Sequence, residues 1–134
     1  MFYGIVYLSH PYGNDERNRE DSILIERGIN LVKDKSWSLT NPLNDKMFSD
    51  HAASVQRYSN SEALILKYCA GALSVCKMVI FCPGWEKSRG CRYEHFVAKC
   101  KNIPRIYLTK HEADLFREFA TKDAIDKAKK EEAA

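Results

Sequence analysis

The run "KMVIFC" (residues 77–82) is the most hydrophobic stretch of the chain, and it limits the possible folds more than any other segment. Its apolar residues do not alternate with polar ones. A strand with one face in water would show that alternation, so the run predicts a strand buried on both faces. Such a strand belongs inside a parallel sheet, with helices covering both sides.

The segments around it agree. "FYGIVYL" (2–8) is β-rich and ends in the turn formers "SHPYGN". In "DERNREDSILIERGINLVKDK", Ile25, Ile29 and Val32 recur at helical spacing, acids come early, and Lys33 and Lys35 come late, as a helix dipole prefers. "SWSLTNP" reads as a second strand stopped by Asn41-Pro42. After a polar, partly helical connection, "EALILKYCAGALSVC" reads as a helix with Ala63, Leu66, Ala70 and Leu73 along one face. Beyond the buried strand the pattern predicts a helix over 89–101, a strand "PRIYLT" from Pro104, and a closing helix with Leu115, Phe116 and Phe119. The expected fold is α/β: a single Rossmann-like domain with a parallel sheet and helices on both faces. The domain is expected over residues 1–121, with a charged helical tail over 122–134.

Composition narrows the function classes. The chain has 134 residues, 45% of them hydrophobic, enough for one full-sized core. Its net charge of +3 is too mild to argue for a nucleic-acid polymer as partner. No apolar run approaches a membrane span, and the start "MFYGIVYLSH" lacks the pattern of a signal peptide, so a cytoplasmic protein without a membrane partner is expected. The cysteines (Cys69, Cys76, Cys82, Cys91, Cys100) form no Cys-x-x-Cys pair and are odd in number. They read as small buried hydrophobes in a reducing compartment, with no metal site and no cofactor expected.

In a parallel sheet, ligands bind at the carboxyl ends of the strands, where loops lead into helix N-termini. Two loops have that position, at residues 9–14 and 83–90. Both carry small residues, a hydroxyl and free backbone N–H groups at a helix start, which suits an anion such as phosphate. Neither matches Gly-x-Gly-x-x-Gly or a P-loop. The second loop belongs to "CPGWEKSRGCRYEHF", in which a Pro-Gly turn and a Ser-Arg-Gly turn precede Glu94, early in the predicted helix.

Together, "YLSHPYG" at the end of the first strand, "NP" after the second, and "CPGWEKSRGCRYEHFVA" resemble the nucleoside 2-deoxyribosyltransferase superfamily. Within it, the Pro-Gly-Trp, Ser-Arg-Gly, then Glu motif resembles that of small phage and bacterial proteins of unknown function. The resemblance implies cleavage or exchange of an N-glycosidic bond, with Glu94 attacking the anomeric carbon. It implies that Ser88 and Gly90, with Ser9 and Gly13 of the first loop, hold a 5'-phosphate, and that Tyr7 or Tyr12 shapes the sugar pocket. It also implies a homo-oligomer, because relatives pair subunits so that one completes another's pocket.

The chemistry fits these residue types. Breaking an N-glycosidic bond develops positive charge at the sugar, which a carboxylate stabilises or captures covalently. A second group must protonate or orient the departing base. The chain departs from the superfamily here: Cys69 and Lys77 stand where relatives place aspartates, and His10, Asp45, Asp50 or His51 are the alternatives.

Each candidate also has a plainer reading. Glu94 can be a helix-start acid, and Ser88 an N-cap. Arg89 and Arg92 can be surface charges, and His10 a structural residue. Trp85 can close over the sheet end or stack on a base. Two functions therefore stand at this stage. One is an N-glycosidase or deoxyribosyltransferase acting on a nucleotide-like small molecule. The other is a non-catalytic protein that sequesters a nucleotide-derived signalling molecule, as a phage anti-defence protein would.

Overall fold

The computed structural model describes residues 3–13, 15–44 and 69–133. Strand β1 (Gly4–Ser9) leads into helix α1 (Glu16–Val32), followed by β2 (Trp37–Thr40) and a 3-10 turn at Pro42–Asn44. Residues 69–74 are helical and deliver the chain to β3 (Met78–Phe81). A 3-10 turn at Trp85–Lys87, helix α2 (Arg89–Cys100), strand β4 (Arg105–Tyr107) and helix α3 (Lys110–Ala133) complete the order. The charged stretch from residue 122 continues α3 as helix, almost wholly in solvent.

All strand pairings are parallel, in the order β2-β1-β3-β4. The "KMVIFC" strand therefore sits inside the sheet, as its apolar run predicts. Val79, Ile80 and Phe81 are all buried because both faces are covered. The pleat divides these residues between two cores. Val6, Leu8, Ile80 and Cys82 pack with Ile25 and Ile29 of α1 and Ala113 of α3. On the other face, Tyr7, Val79 and Phe81 pack with Leu73, Ala98 and Ile103, beneath the helical residues 69–74 and α2. The fold is a Rossmann-like α/β sheet with helices on both sides.

Some details differ from the sequence reading. The first strand extends to Ser9, whose carbonyl accepts from the Cys82 N–H at 2.9 Å and so keeps pairing alive at the carboxyl end. Val32 is 57% exposed, because it is the last residue of α1 and lies past the sheet. Lys33 and Lys35 fall beyond the helix. Lys33 is its C-cap, and its ammonium donates to the Trp37 carbonyl at 2.6 Å instead of serving the last turn. Ala63, Leu66, Asp45, Asp50 and His51 lie outside the described residues. Cys69, Cys76, Cys82 and Cys91 are buried free thiols, and Cys100 is exposed. Among the described residues, no helix is long and apolar enough to cross a membrane.

Candidate functional site

Strand β1 sorts its last residues by parity. Val6, Leu8 and His10 point toward α1 and α3, whereas Tyr7 and Ser9 point toward α2. Helix α2 answers with one turn of spacing: Cys91, Glu94 and Ala98 form its buried face. The result is a polar group inside a core. Ser9 Oγ donates to Glu94 Oε1 at 3.0 Å, and Glu94 is only 6% exposed.

The other carboxylate oxygen has no partner. Among the described residues, Glu94 Oε2 and the Tyr7 hydroxyl are the buried side-chain polar atoms that make no hydrogen bond. The phenol is close enough to favour the ionised carboxyl electrostatically, yet no bond of acceptable length and angle joins them. An incoming hydroxyl could pair with both. Unsatisfied buried polar groups are uncommon in native proteins, and one explanation for them is a ligand.

Burial pushes Glu94 up to about 7, against the downward pull of the Tyr7 phenol and the Ser9 hydroxyl. The neighbouring groups are driven out of the neutral range. Burial, reinforced by the Glu94 charge, raises Tyr7 well above its ordinary value. The same two causes, in the same order, raise Cys69 to about 12 and Cys91 to about 11. Both thiols are therefore protonated at neutral pH, and Glu94 alone in this cluster titrates there.

The second loop places a helix end beside the carboxylate. Gly84 adopts the left-handed conformation (φ 89°) that the Pro-Gly turn requires. Ser88 then takes an extended conformation, and its Oγ accepts from the Cys91 N–H at 3.3 Å, so it is the N-cap of α2. Arg89 and Gly90 open the helix, whose first turn carries no acid. The first loop differs. Tyr12 and Gly13 (φ 56°) form a turn in which the Tyr12 carbonyl accepts from the Asp15 N–H, and Asp15 then caps α1 with its own carboxylate. That acid already supplies negative charge to the α1 dipole, so α2 offers the better of the two helix ends to an anion.

Of the sequence candidates, His10 faces away from this cluster, whereas Trp85 packs on the same side of the sheet as Tyr7. The His10 ring is turned to the α1 side of the sheet, where Nε2 meets Asp21 at 2.7 Å. Trp85 packs into an aromatic group with Phe81, His95 and Tyr107, stacking on the His95 ring at 4.4 Å, and His95 Nε2 meets the Tyr107 hydroxyl at 2.7 Å. Lys77 lies at the opposite end of the sheet, packed over Gly4, where β1 begins. Of the buried neighbours, Cys69 stands in the sequence at the position where the resembled superfamily carries an aspartate, whereas Cys91 is not picked out as a site residue from sequence. The three-residue step from Cys91 to Glu94 was the available signal that both share a helix face. Among the described residues, no group of His, Cys, Asp and Glu side chains could hold a metal ion.

Compared with protein-family models, curated proteins and solved structures, the chain matches none. The reading of this site therefore rests on its own chemistry.

Proposed function

We propose that the protein binds a nucleotide or nucleotide-derived molecule at the carboxyl ends of β1 and β3, and that Glu94 attacks its anomeric carbon to cleave or exchange the N-glycosidic bond. The observation that carries this reading is the buried Glu94 carboxyl with one oxygen held by Ser9 and the other unpartnered beside Tyr7. A carboxylate fixed through one oxygen and free at the other is suited to attack, and a dry site strengthens its interaction with a sugar that becomes cationic. Ser9's donated hydrogen bond favours the ionised form that a nucleophile requires. The Ser88–Gly90 turn supplies backbone donors for a 5'-phosphate at the start of α2. The Pro-Gly-Trp, Ser-Arg-Gly and Glu94 pattern, similar to that of the nucleoside 2-deoxyribosyltransferase superfamily, points the same way.

A second reading has its own support. Cys69 stands where the superfamily that the motif resembles carries an acid, and a thiol raised to about 12 by burial and by Glu94 is a poor proton donor to a departing base. A protein that holds such a ligand without cleaving it would need no acid there.

The discriminating experiment incubates the protein with the common ribo- and deoxyribonucleoside 5'-monophosphates and analyses both free base and retained ligand. Released base supports the glycosidase. Intact ligand that remains bound supports the binder. No base and no bound ligand across the set would remove both. Ser88→Asp tests the phosphate end within the same set. Aspartate caps a helix as well as serine does, so α2 should stay formed while phosphate is repelled. Affinity for a monophosphate should fall roughly 10-fold or more, whereas the corresponding nucleoside should be little affected. Equal affinities in wild type and Ser88→Asp would move the phosphate elsewhere.

A further inference from the structure

Behind the sheet, three side chains from three different elements are joined in a line. Arg117 of α3 grips Asp21 of α1 through two nitrogens, Nε to Oδ1 at 2.7 Å and Nη2 to Oδ2 at 2.9 Å. Its remaining nitrogen, Nη1, donates to Asp114 at 2.7 Å, which fixes the guanidinium plane. Asp21 Oδ2 meets His10 Nε2 at 2.7 Å, and the opposite ring nitrogen, Nδ1, donates to the Pro11 carbonyl at 2.7 Å. The His10 side chain is 5% exposed. The line ends at the second loop, because a Cβ built on Gly84 would sit 3.7 Å from the Pro11 ring.

We propose that Arg117, Asp21 and His10 are positioning residues that hold the first loop, through the Pro11 carbonyl, in its place beside the second. The bidentate Arg117–Asp21 pair is geometrically specific in a way that a single lysine contact is not. It orients the carboxylate that orients the imidazole, and the imidazole in turn fixes a carbonyl one residue along the chain. A proline carbonyl cannot be satisfied by strand pairing at this point, since β1 has ended at Ser9. The closing helix thus reaches the loop that follows Ser9 without touching any group of the Glu94 cluster. Its effect on the loop stands independently of the proposed function. Its effect on ligand affinity rests on that reading.

The test is amide hydrogen exchange by NMR on Asp21→Asn and Arg117→Met, with Arg117→Lys as the conservative variant. The Asp15 N–H bonds the Tyr12 carbonyl and reports the first loop, while the Val79 N–H bonds the Pro104 carbonyl and reports the sheet. In the first two variants, Asp15 exchange should quicken at least tenfold with Val79 exchange unchanged, and the protected His10 Nδ1–H signal should be lost. Arg117→Lys should recover part of the protection. In parallel, titration with inorganic phosphate should show at least fivefold weaker binding in Asp21→Asn. Loosening of the loop in a protein that binds phosphate in neither form would support the positioning role and count against the proposed function. Unchanged Asp15 exchange, or equal acceleration at Asp15 and Val79, would overturn the positioning role.

Discussion

Gly28→Ala is expected to lower the melting temperature by roughly 10 °C, the loss of about 3 kcal/mol from one added methyl group. The cause is the crossing of α1 and α3. A Cβ at Gly28 would lie 2.0 Å from the Phe116 carbonyl oxygen and 2.5 Å from its carbonyl carbon. Both are backbone atoms of a helix, so no side chain can turn aside. The helices must separate, which loosens the packing of Phe116 and Ala113 over Ile25 and Ile29. Alanine also improves helix propensity by about 1 kcal/mol over glycine, but that gain is smaller than the overpacking cost. Thermal denaturation followed by circular dichroism measures the balance. A variant melting within about 2 °C of wild type would mean that the helices do not approach this closely in solution.

Gly28 also marks a limit of what the sequence discloses. In the pattern of α1, a glycine amid Ile25, Ile29 and charged residues looks like a mild defect in a good helix. Its reason is a contact with Phe116, a residue whose position depends on the whole crossover from β4 into α3. Strand and helix order were legible because each depends on local spacing. The continuous run at "KMVIFC" required two covered faces, and the sheet provides them. The side of each candidate in the loops was harder to read. His10 was open to a structural or a site role because it lies between a strand and a turn. Yet adjacent residues of a strand face opposite ways, and the pleat that aims Ser9 at Glu94 turns His10 toward Asp21. Trp85 directly follows a left-handed glycine, where no period applies, and only the fold reveals its stack on His95. The pairing of Ser9 with Glu94 spans 85 positions in sequence, and strand parity together with the Cys91–Glu94 step gives each residue its direction without joining them.

Glu94→Gln should separate catalysis from stability in a single side chain. If the protein cleaves an N-glycosidic bond, the amide keeps the shape and accepts from Ser9, but it cannot act as an anionic nucleophile. Turnover should fall roughly 1,000-fold or more while ligand still binds. Stability should move the other way, and only at high pH. Burial raises the Glu94 carboxyl from its ordinary 4.5 to about 7 in the folded protein. Below pH 4.5 the carboxyl is protonated in both folded and unfolded chains. Between 4.5 and 7 the unfolded chain releases the proton while the folded chain retains it, so folding stability declines as pH rises through that window. Above 7 the full cost of a buried, half-partnered carboxylate is present, about 3 kcal/mol for a displacement of this size. Glutamine never pays it. The variant should therefore melt higher than wild type at pH 8, by up to that amount, and the gap should close by pH 4.5. Denaturant unfolding at a series of pH values reads the difference directly, since every other titrating group is common to both proteins. A gap that does not change with pH would mean that Glu94 titrates normally, with its second oxygen solvated, and the dry carboxyl on which the nucleophile assignment depends would be lost with it. The same carboxyl sets the activity profile: kcat/KM should climb with pH and level off above about 7, as the anion forms. A rate that instead falls through that range would make Glu94 a proton donor, and some other group would have to meet the sugar.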